Sequence, residues 1–119
     1  MDRLTLFHHR GKKMMHLDLS GLKPPDYAAL VEQATRIITS AAQGSQLVAT
    51  TVTGARFDNA TTALMGRFIR TTNPYLKGNA IIGATGLQKV AVIALRPFWK
   101  APMDEFPDLA AATDWLAGL

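Results

Sequence analysis

Residues 79–89, NAIIGATGLQK, constrain the fold more than any other stretch of this chain. Ala80-Ile81-Ile82 is short, apolar and β-branched, as a buried strand is. Gly83-Ala84-Thr85-Gly86 turns the chain, and from Leu87 onward the pattern is helical. A strand feeding a helix through a tight turn is half of a βαβ unit. It also sets up the commonest ligand site of α/β folds, at the carboxyl end of a strand beside a helix N-terminus.

The rest of the chain repeats that alternation. Residues 4–10 and 14–19 are strand-like runs around Gly11-Lys12, and a glycine in a two-residue loop suits a type II′ hairpin. With that loop His9 faces Met14 and Phe7 faces His16. Phe7, His9, Met14, His16 and Asp18 then share one face, with Leu6, His8, Met15 and Leu17 on the other. Pro25 and Asp26 suit the first turn of a helix. Tyr27, Leu30, Val31, Ala34, Ile37, Ile38 and Ala41 follow at steps of three and four, an amphipathic signature. Residues 46–53 form the next strand. Asp58 or Asn59 caps a second helix, whose buried stripe combines Ala60, Leu64 and Phe68 with Thr61, Met65 and Ile69. Asn73-Pro74 ends it.

The helix that begins at Leu87 runs to about Leu95 and is apolar nearly all round, so it is buried on several sides or lies at a contact. A strand competes there, but Gly86-Leu87-Gln88-Lys89 starts a helix in phase with Val90 and Ala94. Pro102 opens a short edge strand that its acidic residues protect. Pro107-Asp108 opens a last helix with Leu109, Ala112, Trp115, Leu116 and Leu119 on its apolar face. The expected fold is α/β. It has a mixed, mostly parallel sheet of about five strands and about four helices, in the order β-β-α-β-α-β-α-β-α.

A chain of 119 residues suits one domain spanning 1–119. Apolar residues make up 48% and charged residues 18%, so a core can form. The absence of cysteine removes disulfides, thiolate catalysis and zinc-thiolate sites together. The N-terminus carries no apolar segment of signal-peptide type, and no apolar run approaches a membrane span. A soluble, cytoplasmic protein is expected. The net charge of +4 suits ordinary solubility. Arg3, Arg10, Lys12 and Lys13 cluster, but no nucleic-acid recognition pattern accompanies them, so no nucleic-acid partner is assigned.

Several chemical motifs fail on inspection. Residues 78–85, GNAIIGAT, have the glycine spacing of a P-loop, but Ala84 stands where the phosphate-binding lysine belongs. Only Gly83 and Gly86 remain of a dinucleotide fingerprint. His9, His16 and Asp18 share a face and are a conceivable ligand set. They read more simply as solvated or packed strand residues, so no metal and no cofactor are assigned. No nucleophile elbow occurs, and the two glutamates, Glu32 and Glu105, offer no acid-base pair, so no enzyme is expected. A generic anion site survives, beside the simpler reading of Thr85 as an N-cap and Gly86 as a glycine that allows tight strand-helix packing. Parallel topology brings Asp18, Ser20, Arg56, Asp58, Thr85, Gly86 and Lys89 to one rim, where amides, a hydroxyl and a cation can hold an acidic ligand. The apolar third helix, with Leu95, Phe98 and Trp99, is either the surface of a homodimer or of another protein contact, or a segment whose two rings cap the core.

Four segments carry a family resemblance: HLDLSGL at 16–22, TVTGARFDNATT at 51–62, NPYLKGNAIIGATGLQKV at 73–90 and FPDLAAATDWLAGL at 106–119. The chain resembles the small bacterial STAS-like proteins, related in fold to anti-sigma-factor antagonists and to the lipid-binding Sec14 (CRAL-TRIO) domain. The resemblance spans nearly the whole chain and implies a non-enzymatic binding or regulatory module. A carrier of a small lipid-like or acidic ligand is the alternative, and an uncharacterised enzyme the second alternative. Anti-sigma-factor antagonists are phosphorylated on the second serine of an Asp-Ser-Ser-Gly motif at the start of the second helix. The matching residues here are Asp58-Asn59-Ala60-Thr61, so the acceptor position holds Ala60 and that switch is absent there. Thr61 or Thr62 substitutes only in another register.

Overall fold

The computed structural model describes residues 2–119. Its strands are β1 (Leu4–His9), β2 (Lys12–Asp18), β3 (Gln46–Thr51), β4 (Leu76–Ile82) and β5 (Met103–Phe106). Its α-helices are α1 (Tyr27–Thr39), α2 (Asn59–Thr72), α3 (Leu87–Leu95) and α4 (Leu109–Ala117). The strands form one sheet in the order β1-β2-β3-β4-β5, with β1 antiparallel to β2 and the other neighbours parallel. The α/β class and the order of elements agree with the sequence expectation.

The hairpin differs in register. Lys12 pairs with His9, Met14 with Phe7 and His16 with Thr5. The loop is therefore Arg10-Gly11, and both residues have positive φ (52° and 77°), the backbone of a type I′ turn. The type II′ turn at Gly11-Lys12 is not formed. The register moves by two residues, which preserves side-chain alternation, so the expected faces survive.

Each parallel crossover joins adjacent strands and moves in the same direction across the sheet. Right-handed crossovers then put α1, α2 and α3 on one face. That face buries Met15, Leu17, Val48 and Ile81 beneath Val31, Ile38, Met65, Phe68, Val92 and Leu95. On the opposite face α4 places Ala112 and Leu116 over Met14, Leu47, Ala49, Ala80 and Ile82. β3 and β4 are buried on both faces and have the near-continuous apolar character of central parallel strands. In α2 the buried residues are Thr61, Met65, Gly66, Phe68, Ile69 and Thr72. Ala60, expected inside, is exposed, and Leu64 is half-buried. Among the described residues no helix is long and apolar enough to cross a membrane.

Candidate functional site

The carboxyl ends of the strands meet along one edge, as parallel pairing requires. The ladder continues past the strands there. Leu19 N–H donates to Thr51 O (2.8 Å), Gly21 N–H to Thr53 O (2.9 Å), Val52 N–H to Ile82 O (2.9 Å) and Gly83 N–H to Phe106 O (3.1 Å). The rim residues anticipated from the sequence lie along this edge in three separate local arrangements.

At the end of β2, Arg3 Nη1 donates to Ser20 O (2.7 Å) and Asp18 O (3.2 Å). The Asp18 carboxylate accepts from Ser20 N–H (2.9 Å). Partial burial pushes the Asp18 pKa up, but the Ser20 hydrogen bonds and the nearby His16 and Arg3 charges outweigh it, and the net shift is downward. Beside this cluster His16 Nε2 lies 2.8 Å from Thr51 Oγ1, and desolvation lowers its pKa despite the Asp18 charge. Arg3 was not anticipated at this edge. Its role rests on two carbonyl groups, which side-chain patterning does not reveal.

At the start of α2, the Asp58 carboxylate accepts from Thr61 N–H (2.7 Å) as an N-cap. Hydrogen bonding with Thr61 lowers its pKa. Ala60 faces solvent, Thr61 is buried, and the Thr62 hydroxyl donates to Asp58 O (2.9 Å). Neither threonine presents a free hydroxyl in place of the missing serine.

At the end of β4, Gly83, Thr85, Lys89, Glu105, Phe106 and Pro107 line a shallow depression. Gly86 is the N-cap of α3, with φ 53° and no side-chain capping bond, so Thr85 does not cap the helix. Lys89 Nζ lies 2.9 Å from Glu105 Oε1, and Arg96 Nη2 lies 3.0 Å from Glu105 Oε2. Glu105 thus pairs with the cation assigned to the anion site and shares its charge with Arg96. Arg56 N–H donates to Leu22 O (2.9 Å), and its side chain is exposed.

The surface of α3 also differs from expectation. Leu95 is buried in the core, and Phe98 and Trp99 are half-buried against it, as rings that cap the core are. The outward apolar residues are Leu87 (82% exposed), Val90 (63%) and Ile93 (59%). Their regular spacing of three is visible in the sequence. A groove of about 420 Å³ runs between α2 and α3, floored by Ala63, Gly66, Ala94 and Phe98 and walled by Arg67 and Arg70. The Arg70 guanidinium stacks 4.8 Å over the Phe98 ring. Neither arginine forms an ion pair with a carboxylate among the described residues.

Beneath α2 and α3 lies a small cavity of about 30 Å³, lined by apolar side chains and by Thr50 and Asn79. Both polar residues are buried, and Thr50 Oγ1 donates to Asn79 Oδ1 at 3.4 Å. The histidines engage other partners. His9 Nε2 lies 2.8 Å from Asp114 Oδ1, while His16 bonds Thr51. Among the described residues no group of three His, Cys, Asp or Glu side chains is placed to hold a metal ion.

Comparison of the chain with models of known protein families, with curated proteins and with solved structures finds no match.

Proposed function

We propose that this chain is a non-enzymatic STAS-like binding or regulatory module, a single cytoplasmic domain that docks a protein partner on its α2–α3 surface. The observation that carries this is the outward apolar row Leu87, Val90 and Ile93 on a helix whose other side is already in the core. Exposed apolar side chains gathered on one face mark contact sites. The charge around them selects the partner. Arg67 and Arg70 line the α2–α3 groove without a carboxylate partner among the described residues, so a segment carrying both apolar side chains and carboxylates matches this surface.

The alternative, a carrier of a small lipid-like or acidic ligand, has less support. The cavity of about 30 Å³ beneath α2 and α3 has room for water and, as it stands, is too small for an acyl chain. At the rim, Lys89 is tied to Glu105. An enzymatic role finds no convergent set of reactive side chains to build on.

The test compares proteins captured by the wild type with those captured by Val90→Glu and by Arg67→Glu with Arg70→Glu, each checked for folding by circular dichroism. A partner held by the wild type and lost from both variants is expected. Retention of the same partners by both folded variants defeats the assignment. Native mass spectrometry of the purified chain decides the alternative, since a carrier arrives with its ligand bound.

A further inference from the structure

The two edges of the sheet are treated differently. β5 is four residues long, bracketed by Pro102 and Pro107, and carries Asp104 and Glu105. These are the usual protections against pairing with another chain. β1 has six residues, LTLFHH, with no proline, lysine or carboxylate, and its Leu6 is 44% exposed.

The register says which backbone groups of β1 are free. A two-residue loop closes on a hydrogen-bonded pair, here His9 with Lys12, and such pairs recur at every second residue. Phe7, Thr5 and Arg3 therefore bond inward to β2, as the 2.7 Å bond from Asp18 N–H to Arg3 O shows. Leu4, Leu6 and His8 direct their N–H and C=O groups away from the sheet.

We propose that β1 pairs with β1 of a second copy of this chain, antiparallel, about a two-fold axis through Leu6, making one continuous sheet. In that register Leu6 faces Leu6, and Leu4 faces His8 of the second copy. Each facing pair brings outward donors to outward acceptors, so every free group of β1 is satisfied. Continued past the ends of β1, the same register brings Asp2 toward the turn residue Arg10 of the second copy, twice by symmetry. Asp2 is exposed and makes no ion pair among the described residues, and the Arg10 side chain is 66% exposed although it also touches Asp114. A slip of one residue sets inward groups against outward ones and forfeits the bonds. A slip of two centres the axis on Phe7, places Leu4 against Arg10 and loses both ion pairs. The small facing area makes this a concentration-dependent dimer.

The chain has no cysteine, so a single introduced thiol reports the contact. In a hydrogen-bonded antiparallel pair the facing Cα atoms are about 5.5 Å apart, within disulfide reach. Oxidised Leu6→Cys is expected to run as a covalent dimer, while Leu87→Cys, on the α3 surface, stays monomeric. Wild-type protein is expected to sediment increasingly as dimer as its concentration rises. Leu6→Pro removes only an outward donor, so it is expected to keep its circular dichroism and sediment as monomer. A wild type that stays monomeric at every concentration overturns the proposal. So does cross-linking of Leu87→Cys in place of Leu6→Cys. If Leu6→Pro fails to fold, the two cysteine variants still decide. The Leu6→Cys and Leu6→Pro outcomes do not depend on the α2–α3 surface, so either contact can fail alone.

Discussion

Gly83, at the end of β4, packs directly against the side chain of Thr53, which follows β3. A Cβ at Gly83 would collide with Thr53 Oγ1, and the glycine also holds φ 76°. The Gly83→Ala variant therefore meets two costs, a left-handed backbone and a steric overlap. Together they amount to about 2–4 kcal/mol. Urea denaturation should show this loss, and adding Thr53→Ala should recover the steric share while leaving the backbone share.

Asp58 and Asp108 cap α2 and α4 through the amides of Thr61 and Ala111. Loss of the Asp108 cap in Asp108→Ala is expected to cost about 1 kcal/mol. At Asp58 the informative comparison is between Asp58→Ala, which lowers the denaturation midpoint, and Asp58→Asn, which restores most of it. A partner-binding role for the Asp58 charge would appear as weakened binding in the folded asparagine variant.

His16 makes stability depend on pH. Burial lowers its pKa below the ordinary 6.5, so the unfolded chain binds a proton more readily than the folded one. Stability then falls as pH drops from 6.5 toward the depressed folded value. His16→Gln keeps a hydrogen-bonding partner for Thr51 without titrating. Its stability should be flatter across that window, and parallel curves for the two proteins would rule out His16 as the source.

The ion pairs of Glu105 with Lys89 and Arg96 bear on whether the β4–α3 edge takes anions. In Glu105→Gln both cations are released, and inorganic phosphate should shift the amide resonances of Thr85, Gly86 and Leu87 in NMR spectra. In the wild type these should stay in place at the same phosphate concentration. Equal shifts in both proteins would restore the anion site expected from the sequence.

The buried pair Thr50 and Asn79 gives a packing test. Asn79→Ala removes the acceptor of the Thr50 hydroxyl and enlarges the cavity, at a cost of about 2–4 kcal/mol. The combination Asn79→Leu with Thr50→Val replaces both polar partners by apolar groups and should lie much nearer the wild type. Thermal denaturation of the variants orders them.

The alternation of strands and helices was legible because burial imposes a period of two or of about 3.6 on apolar side chains. Val48, Ile81, Val31 and Ile38 announce their elements in this way, and strand order then follows from short right-handed crossovers. In the hairpin, Gly11 suggests a loop beginning at itself, whereas the turn begins at Arg10, whose left-handed backbone arginine does not advertise. The outward face of α3 was hard to identify because a helix apolar all round carries no polar side to mark solvent. The Lys89–Glu105 pair was hidden because it depends on how β5 lies beside β4, which local pattern does not encode. Likewise Asp18, Ser20, Asp58 and Thr85 lie along one edge but in separate local arrangements, where backbone groups hold several of their polar atoms.

The order of strands in the sheet repeats their order in the chain. During synthesis, each new strand finds its neighbour already present, and no position has to wait for a later segment to be inserted. Each pairing closes only one crossover, which keeps the entropy of loop closure low. The exception is the second face. Met14, Leu47, Ala49, Ala80 and Ile82 stay uncovered until α4 arrives. A nascent chain halted before Leu109 would carry an assembled sheet with one greasy side open, the form that most needs a chaperone.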